Sequence, residues 1–241
     1  MAGHSKWKNI QGRKNAQDSK RPKFFQKLAK EIYVAAKSGA DPALNPALRL
    51  VMDKAKAANM PNDNMERAIQ KAAGNQAGEN YDEISYEGYG PGGVAVLVHA
   101  LTDNKNRTGT NVRVAFNKNG GSLGETGSVA YMFNRKGYLV VLRENLDLSE
   151  DEFMLLAIEA GAEDIITSDE AFEVFTAPAD FTVVKDELEQ AGLKFEAAEL
   201  TMQPTLYQEV PENKRAEFDK MISILEDDDD VQEVYTNANN D

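Results

Sequence analysis

Between residues 74 and 80 the chain changes character, and that change constrains its fold more than any other feature. Before the stretch Gly74-Asn-Gln-Ala-Gly-Glu-Asn80, apolar residues recur at helical spacing. After it, strand-like and helix-like segments alternate. Charge changes sign at the same place. Residues 1–75 hold 15 Lys and Arg against 6 Asp and Glu, whereas residues 76–241 hold 12 against 34. The formal charge of −13 therefore hides a basic module joined to an acidic remainder. Basic charge confined to one module is an electrostatic footprint for a polyanion. Basic helices docking on the chain's own acidic domains need the same pattern, and the sequence leaves both open.

The basic module reads as three amphipathic helices. Residues 22–37 open on Pro22 and stop at Ser38-Gly39. Phe24, Leu28, Ile32, Ala35 and Ala36 share one face, and Lys23, Lys27, Lys30 and Lys37 form a stripe on the other. That stripe continues a basic arm containing Lys6, Lys8, Arg13, Lys14, Lys20 and Arg21. Trp7, the only tryptophan, either stacks on a base or anchors the arm to a domain. A second helix begins after Asn45 as N-cap, with Pro46 in its first turn, and runs to about Asn59. A third starts near Asp63, with Glu66 as capping-box partner, and ends at Gly74.

Composition removes several function classes. There is no cysteine, and His4 and His99 are the only histidines, so thiolate chemistry and multi-histidine metal centres are excluded. No apolar run approaches the ~20 residues that span a bilayer. No nucleophile elbow or dispersed acidic triad is visible. The expectation is a cytoplasmic protein that is not an enzyme, with no cofactor, no metal and no membrane partner.

The acidic two-thirds alternates. The loop Gly88-Tyr-Gly-Pro-Gly-Gly93 matches the dinucleotide fingerprint G-x-G-x-x-G, but a strand follows where that fold needs a helix. It reads as a tight connection between strands. Thr102–Arg107 leads into a helix to about Lys118, and Lys105, Arg107 and Arg113 form a small basic cluster. Phosphate contact or local ion pairing both account for it. From Gly137 the order is βαββαβ, a ferredoxin-like unit, with the capping box Ser149-Glu-Asp-Glu152 opening its first helix. Its third strand, Ala-Phe-Glu-Val-Phe-Thr, lacks the basic and aromatic pattern of an RNA-reading sheet. A helix over about 212–225, the acidic run Glu226–Asp230 and a strand from Val231 complete the chain. The acidic run lacks the spacing of a cation loop and reads as a solvated turn. The last helix and strand are expected to join residues 80–135, making the βαββαβ unit an insertion. The fold class is thus α+β: a basic helical domain over 1–75, an α/β domain over 80–135 plus 205–241, and an inserted ferredoxin-like domain over 136–204.

Gly3-His-Ser-Lys-Trp7, Asp18-Ser-Lys-Arg21, Asn59-Met-Pro61, Tyr86-Glu-Gly-Tyr-Gly-Pro-Gly-Gly93, Leu101-Thr-Asp-Asn104 and Asp229-Asp-Val-Gln232 together carry a resemblance. The chain closely resembles the YebC family of bacterial proteins and their mitochondrial relatives, in its long form. Ala40, His99 and Asp228 depart from the expected pattern. The resemblance implies three domains in the order just read. It also implies a DNA-binding transcriptional regulator, or a translation factor that helps ribosomes through stalls such as proline-rich stretches. Because it starts at residue 2, the resemblance implies a bacterial chain without a transit peptide.

The residues expected to meet nucleic acid are Lys6, Trp7, Lys8, Arg13, Lys14, Lys20, Arg21, Lys23, Lys27, Lys30, Lys105 and Arg107. Lysines position a polyanion without reading bases, and no helix carries an Arg, Asn and Gln base-reading set. That favours a shape-defined target, ribosomal RNA on the ribosome, over duplex DNA, the alternative. A protein partner on the acidic two-thirds is the third expectation.

Overall fold

The computed structural model describes Trp7 and residues 21–74 and 80–239. They divide into two compact units, one of residues 21–52, 60–134 and 204–239, the other of Trp7, 53–59 and 135–203.

The first unit begins with helices α1 (Arg21–Ala36), α2 (Pro46–Ala57, whose last turn belongs to the second unit) and α3 (Asn62–Gly74). Asn45 links α1 to α2. Its side-chain amide donates to the carbonyls of Ala35 and Gly39 at 2.8 and 2.7 Å, and its oxygen accepts the Leu48 N–H at 3.1 Å. One residue thus ends one helix and starts the next, the N-cap role expected of it.

Strands β1 (Asp82–Tyr89) and β2 (Ala95–Thr102) form an antiparallel hairpin. The glycine loop is its turn, as expected. Gly92 has φ +82°, and a Cβ there would lie 2.5 Å from the ring of Pro211, so both conformation and space require glycine. Helix α4 (Lys105–Lys118) follows, with Asn104 capping Arg107 N at 3.1 Å, and then the short β3 (Ser122–Leu123). After the second unit, the chain returns through β8 (Gln208–Glu209), α7 (Glu212–Asp227), β9 (Val231–Thr236) and β10 (Ala238–Asn239). The sheet order is β3-β1-β2-β9, and β8 pairs with β10. Valines 96, 98, 231 and 234 pack with Phe116 of α4 and with Phe218, Met221 and Leu225 of α7.

Glu87 on β1 is buried in this unit. Its carboxylate accepts the backbone N–H groups of Gly127, Val129 and Ala130 at 2.7–2.8 Å, holding the loop after β3 in place. Burial alone pushes such a carboxyl up, but the three donors together outweigh it and hold Glu87 below the usual glutamate range.

The second unit is a ferredoxin-like βαββαβ layer: β4 (Phe133–Leu142), α5 (Glu150–Glu159), β5 (Asp164–Thr167), β6 (Ala171–Thr176), α6 (Phe181–Gln190) and β7 (Ala197–Pro204), in sheet order β5-β6-β4-β7. The capping box of α5 is formed as its sequence indicates, with Ser149 and Glu152 bonded reciprocally. On one sheet face, Phe172 stacks on Phe153 of α5, with ring centroids 4.0 Å apart. Alternation sends Tyr138, Val140, Ala171, Glu173 and Phe175 to the other face. Trp7 packs there with Tyr138, Val140, Ala171 and Phe175.

Trp7 is 3% exposed, and its backbone N–H donates to Glu173 at 2.9 Å. The Tyr138 hydroxyl donates to the same Glu173 oxygen at 2.6 Å. This corrects the expectation that Trp7 meets nucleic acid. An indole worth several kcal/mol of burial is in the core, and the anchoring alternative is the one realised. Glu173, which spoiled the strand as an RNA-reading element, is the polar group that fixes the anchor.

Two outcomes follow. The sole tryptophan should emit at blue-shifted wavelength and resist acrylamide quenching in the native protein; red-shifted, freely quenched emission would contradict the anchor. Glu87→Gln should destabilise the first unit by about 1.5–3 kcal/mol at neutral pH, the worth of hydrogen bonds to a charged group. Since the folded carboxyl titrates low, that stabilisation is present above the ordinary glutamate range and is lost as pH falls through the folded value. The gap between wild type and variant in denaturant melts should therefore narrow on acidification.

Candidate nucleic-acid interface

Helix α1 presents three faces, because a 16-residue helix with this sequence has three kinds of side chain at helical spacing. Leu28, Ile32 and Ala36 are buried. Lys23, Lys27 and Lys30 make the basic face expected to meet phosphates. They meet the chain's own acidic turn instead.

Lys27 Nζ donates to the Glu226 carbonyl at 2.6 Å. Lys30 donates to the carbonyls of Asp229 and Leu101 at 3.0 and 3.2 Å and to the Asp230 carboxylate at 3.2 Å. Lys23 reaches the Asp227 carbonyl at 3.3 Å and lies 3.6 Å from the Asp229 carboxylate. The last carbonyls of a helix lack intrahelical donors, and its C-terminus carries about half a negative charge. The lysine stripe of α1 therefore caps the C-terminus of α7, some 200 residues away in sequence. Lys27 is 9% exposed. Burial holds its pKa below the usual lysine value, and the carboxylates of Glu233, Asp228, Glu226 and Asp229 offset part of that effect.

Asp230 sits at the centre of this clasp, 4% exposed. Its second oxygen accepts from Arg107 Nε and Nη2 at 3.1 and 2.7 Å and from the Thr108 hydroxyl at 2.8 Å. Burial pushes its carboxyl up, but the bonds from Arg107, Thr108 and Lys30 prevail and hold it below the usual aspartate range. Arg107 also pairs with Asp103 at 2.7 Å, and its guanidinium pKa is raised, first by the bond to Asp230. Lys105 pairs with Asp82 at 3.3 Å.

Several expectations therefore need correction. Lys27 and Lys30 are structural cations, not a phosphate surface, because α7 delivers uncapped carbonyls and Asp230 against them. Arg107 is held in the same network and Lys105 pairs locally, as the ion-pairing account has it for these two residues of the cluster. The acidic run is a turn, but Asp230 within it is not solvated. Lys23 alone of the three remains half-exposed. Lys6, Lys8, Arg13, Lys14, Lys20 and the side chain of Arg21 lie outside the described residues. Among the described residues, no His, Cys, Asp and Glu group is arranged to hold a metal ion, and no helix is long and apolar enough to cross a membrane.

The third face of α1 went unread. Phe25, Ala29 and Tyr33 line a cavity with Arg67 and Lys71 of α3 and with Tyr81. Both helices show the signal, since each set recurs at four-residue spacing. Tyr33 is 3% exposed and belongs to the core, whereas Arg67 and Lys71 are exposed.

Removing the centre of the clasp strands its cations. Asp230→Ala should cost about 3 kcal/mol of stability, and Lys23→Ala at most about 0.5 kcal/mol, in chemical denaturation. Equal effects would contradict the assignment of roles.

Two family profiles match this chain. One, described as the TACO1/YebC protein N-terminal domain, matches residues 5–75, and the other, the TACO1/YebC second and third domain, matches residues 81–238. A probable transcriptional regulatory protein of Listeria innocua is 75% identical over 238 residues, covering 99% of both chains. One from Enterococcus faecalis is 64% identical over 241 residues, covering 100% of both. The crystal structure of a conserved hypothetical protein from Aquifex aeolicus superimposes with a TM-score of 0.82 at 43% identity, covering 99% of this chain and 95% of the other. With both profiles matched in register and relatives aligned end to end, the chain belongs to the TACO1/YebC family.

Proposed function

We propose that this chain is a non-enzymatic regulator of gene expression that acts in the cytoplasm by binding nucleic acid, with duplex DNA as its target. The observation that carries the reading is the full-length similarity to proteins named as probable transcriptional regulators. The charge pattern supports nucleic acid as the ligand. With Lys27, Lys30 and Arg107 engaged internally, the densest remaining basic segment is residues 1–20, with five Lys and Arg against one Asp. Lys6, Lys8, Arg13, Lys14 and Lys20 are the phosphate contacts of this reading, with Arg21 and Lys23 beside them. Such contacts set affinity and salt dependence rather than sequence preference.

A second reading, action on ribosomal RNA as a translation factor, is favoured by one observation. These cations are mostly lysines, without the Arg, Asn and Gln pairs that read base edges.

Replacing Lys6, Lys8, Arg13 and Lys14 together by Glu should weaken duplex binding at physiological salt by at least ~100-fold, with an unchanged melting temperature. Unchanged affinity in that variant would overturn the assignment. Competition between promoter-containing duplex and purified ribosomes at the same salt separates the two readings. Duplex should win under the first and ribosomes under the second.

A further inference from the structure

The cavity beside α1 differs in charge from the rest of this acidic chain. It has a volume of about 710 Å³, within the range of ligand sites. Lys30, Arg67 and Lys71 line it, and no Asp or Glu does, although the chain holds 40 of them. The remaining lining is mostly apolar and aromatic. Tyr33 and Tyr81 meet edge to face, with centroids 5.8 Å apart and planes at 85°. Lys30 lies 5.1 Å from the Tyr81 ring centroid and Lys71 5.6 Å from that of Tyr33, so positive charge sits against both rings. Lys30 is also committed to the α7 clasp. Arg67 and Lys71 are exposed, and Arg67 is steadied by a 3.1 Å bond to the Asp63 carbonyl and by the Asn64 side chain.

Aromatic rings with cations beside them and no carboxylate complement one kind of ligand, a flat apolar body bearing negative charge on one side. A nucleotide has that form. A base inside a duplex does not present its face, so the occupant must be unstacked. We propose that this cavity takes one unstacked base of a single-stranded or locally opened nucleic-acid strand, stacked against the part-exposed rings of Phe25 and Tyr81 with the buried Tyr33 behind them, and with its phosphate on Arg67 and Lys71. The inference rests on the nucleic-acid reading above and deepens it. A charged arm holds the backbone, and the cavity holds a base.

The test compares affinities of the full chain, at fixed physiological salt, for a short oligothymidylate and for an abasic strand with the same number of phosphates. The base-bearing strand should bind on the order of ten-fold more tightly. Phe25→Leu and Tyr81→Leu keep apolar volume while removing a ring, and each should erase that ratio while leaving abasic affinity unchanged. Arg67→Gln with Lys71→Gln should weaken both strands. Equal affinity of the wild type for the two strands overturns the base site and leaves duplex binding, hence the proposed function, standing. Loss of all nucleic-acid binding overturns both. Thymidine monophosphate binding as tightly as the strand overturns the strand as occupant in favour of a free nucleotide.

Discussion

The first unit depends on how the C-terminus of α7 is neutralised. That helix ends in carbonyls without intrahelical donors, followed by consecutive aspartates, and such an end is costly to cover with protein. Lys23, Lys27 and Lys30 supply the missing donors, and Asp230 gathers Lys30, Arg107 and Thr108 on one carboxylate. Beside that junction, β9 leaves the acidic turn and pairs with β2, completing the four-stranded sheet at its edge. Helix α1 and the turn after α7 are thereby joined by charge-assisted bonds, which are stronger than neutral ones.

The same arrangement explains how a basic module can belong to an acidic protein without signalling a nucleic-acid surface along its whole length. Charge segregation is a statement about sequence, and partnership is a statement about space. The positive face of α1 and the negative end of α7 satisfy each other, whereas Arg67 and Lys71 of α3 are exposed beside the aromatic lining of the cavity. Charge of one sign thus has two uses on neighbouring helices.

Much of the fold was legible because its determinants are local. Asn45 and Ser149 announce their helices through neighbours three residues away, and the glycine loop announces a hairpin through the strands beside it. The βαββαβ order follows from periodicity. What escaped was non-local. Nothing near Lys27 indicates that residues 226–230 will cover it, nothing near Glu87 points to the N–H groups of 127–130, and nothing near Trp7 names Glu173. The cavity escaped for a different reason: its aromatic and basic residues sit on two helices and on the segment before β1, and only their packing makes one surface of them. The basic stripe was visible but ambiguous, since a lysine row that binds phosphate and one that caps a helix look alike until the partner is placed.

The central claim is that Lys27 and Lys30 of α1 hold the protein together and contribute no phosphate contact. The salt dependence of duplex binding measures that directly, because each phosphate contact adds about 0.9 to the slope of log affinity against log salt. With Lys27→Gln and Lys30→Gln combined, the slope should match that of the wild type while stability falls. A slope reduced by about two, with stability unchanged, would show that these lysines face nucleic acid and that the clasp has been misread.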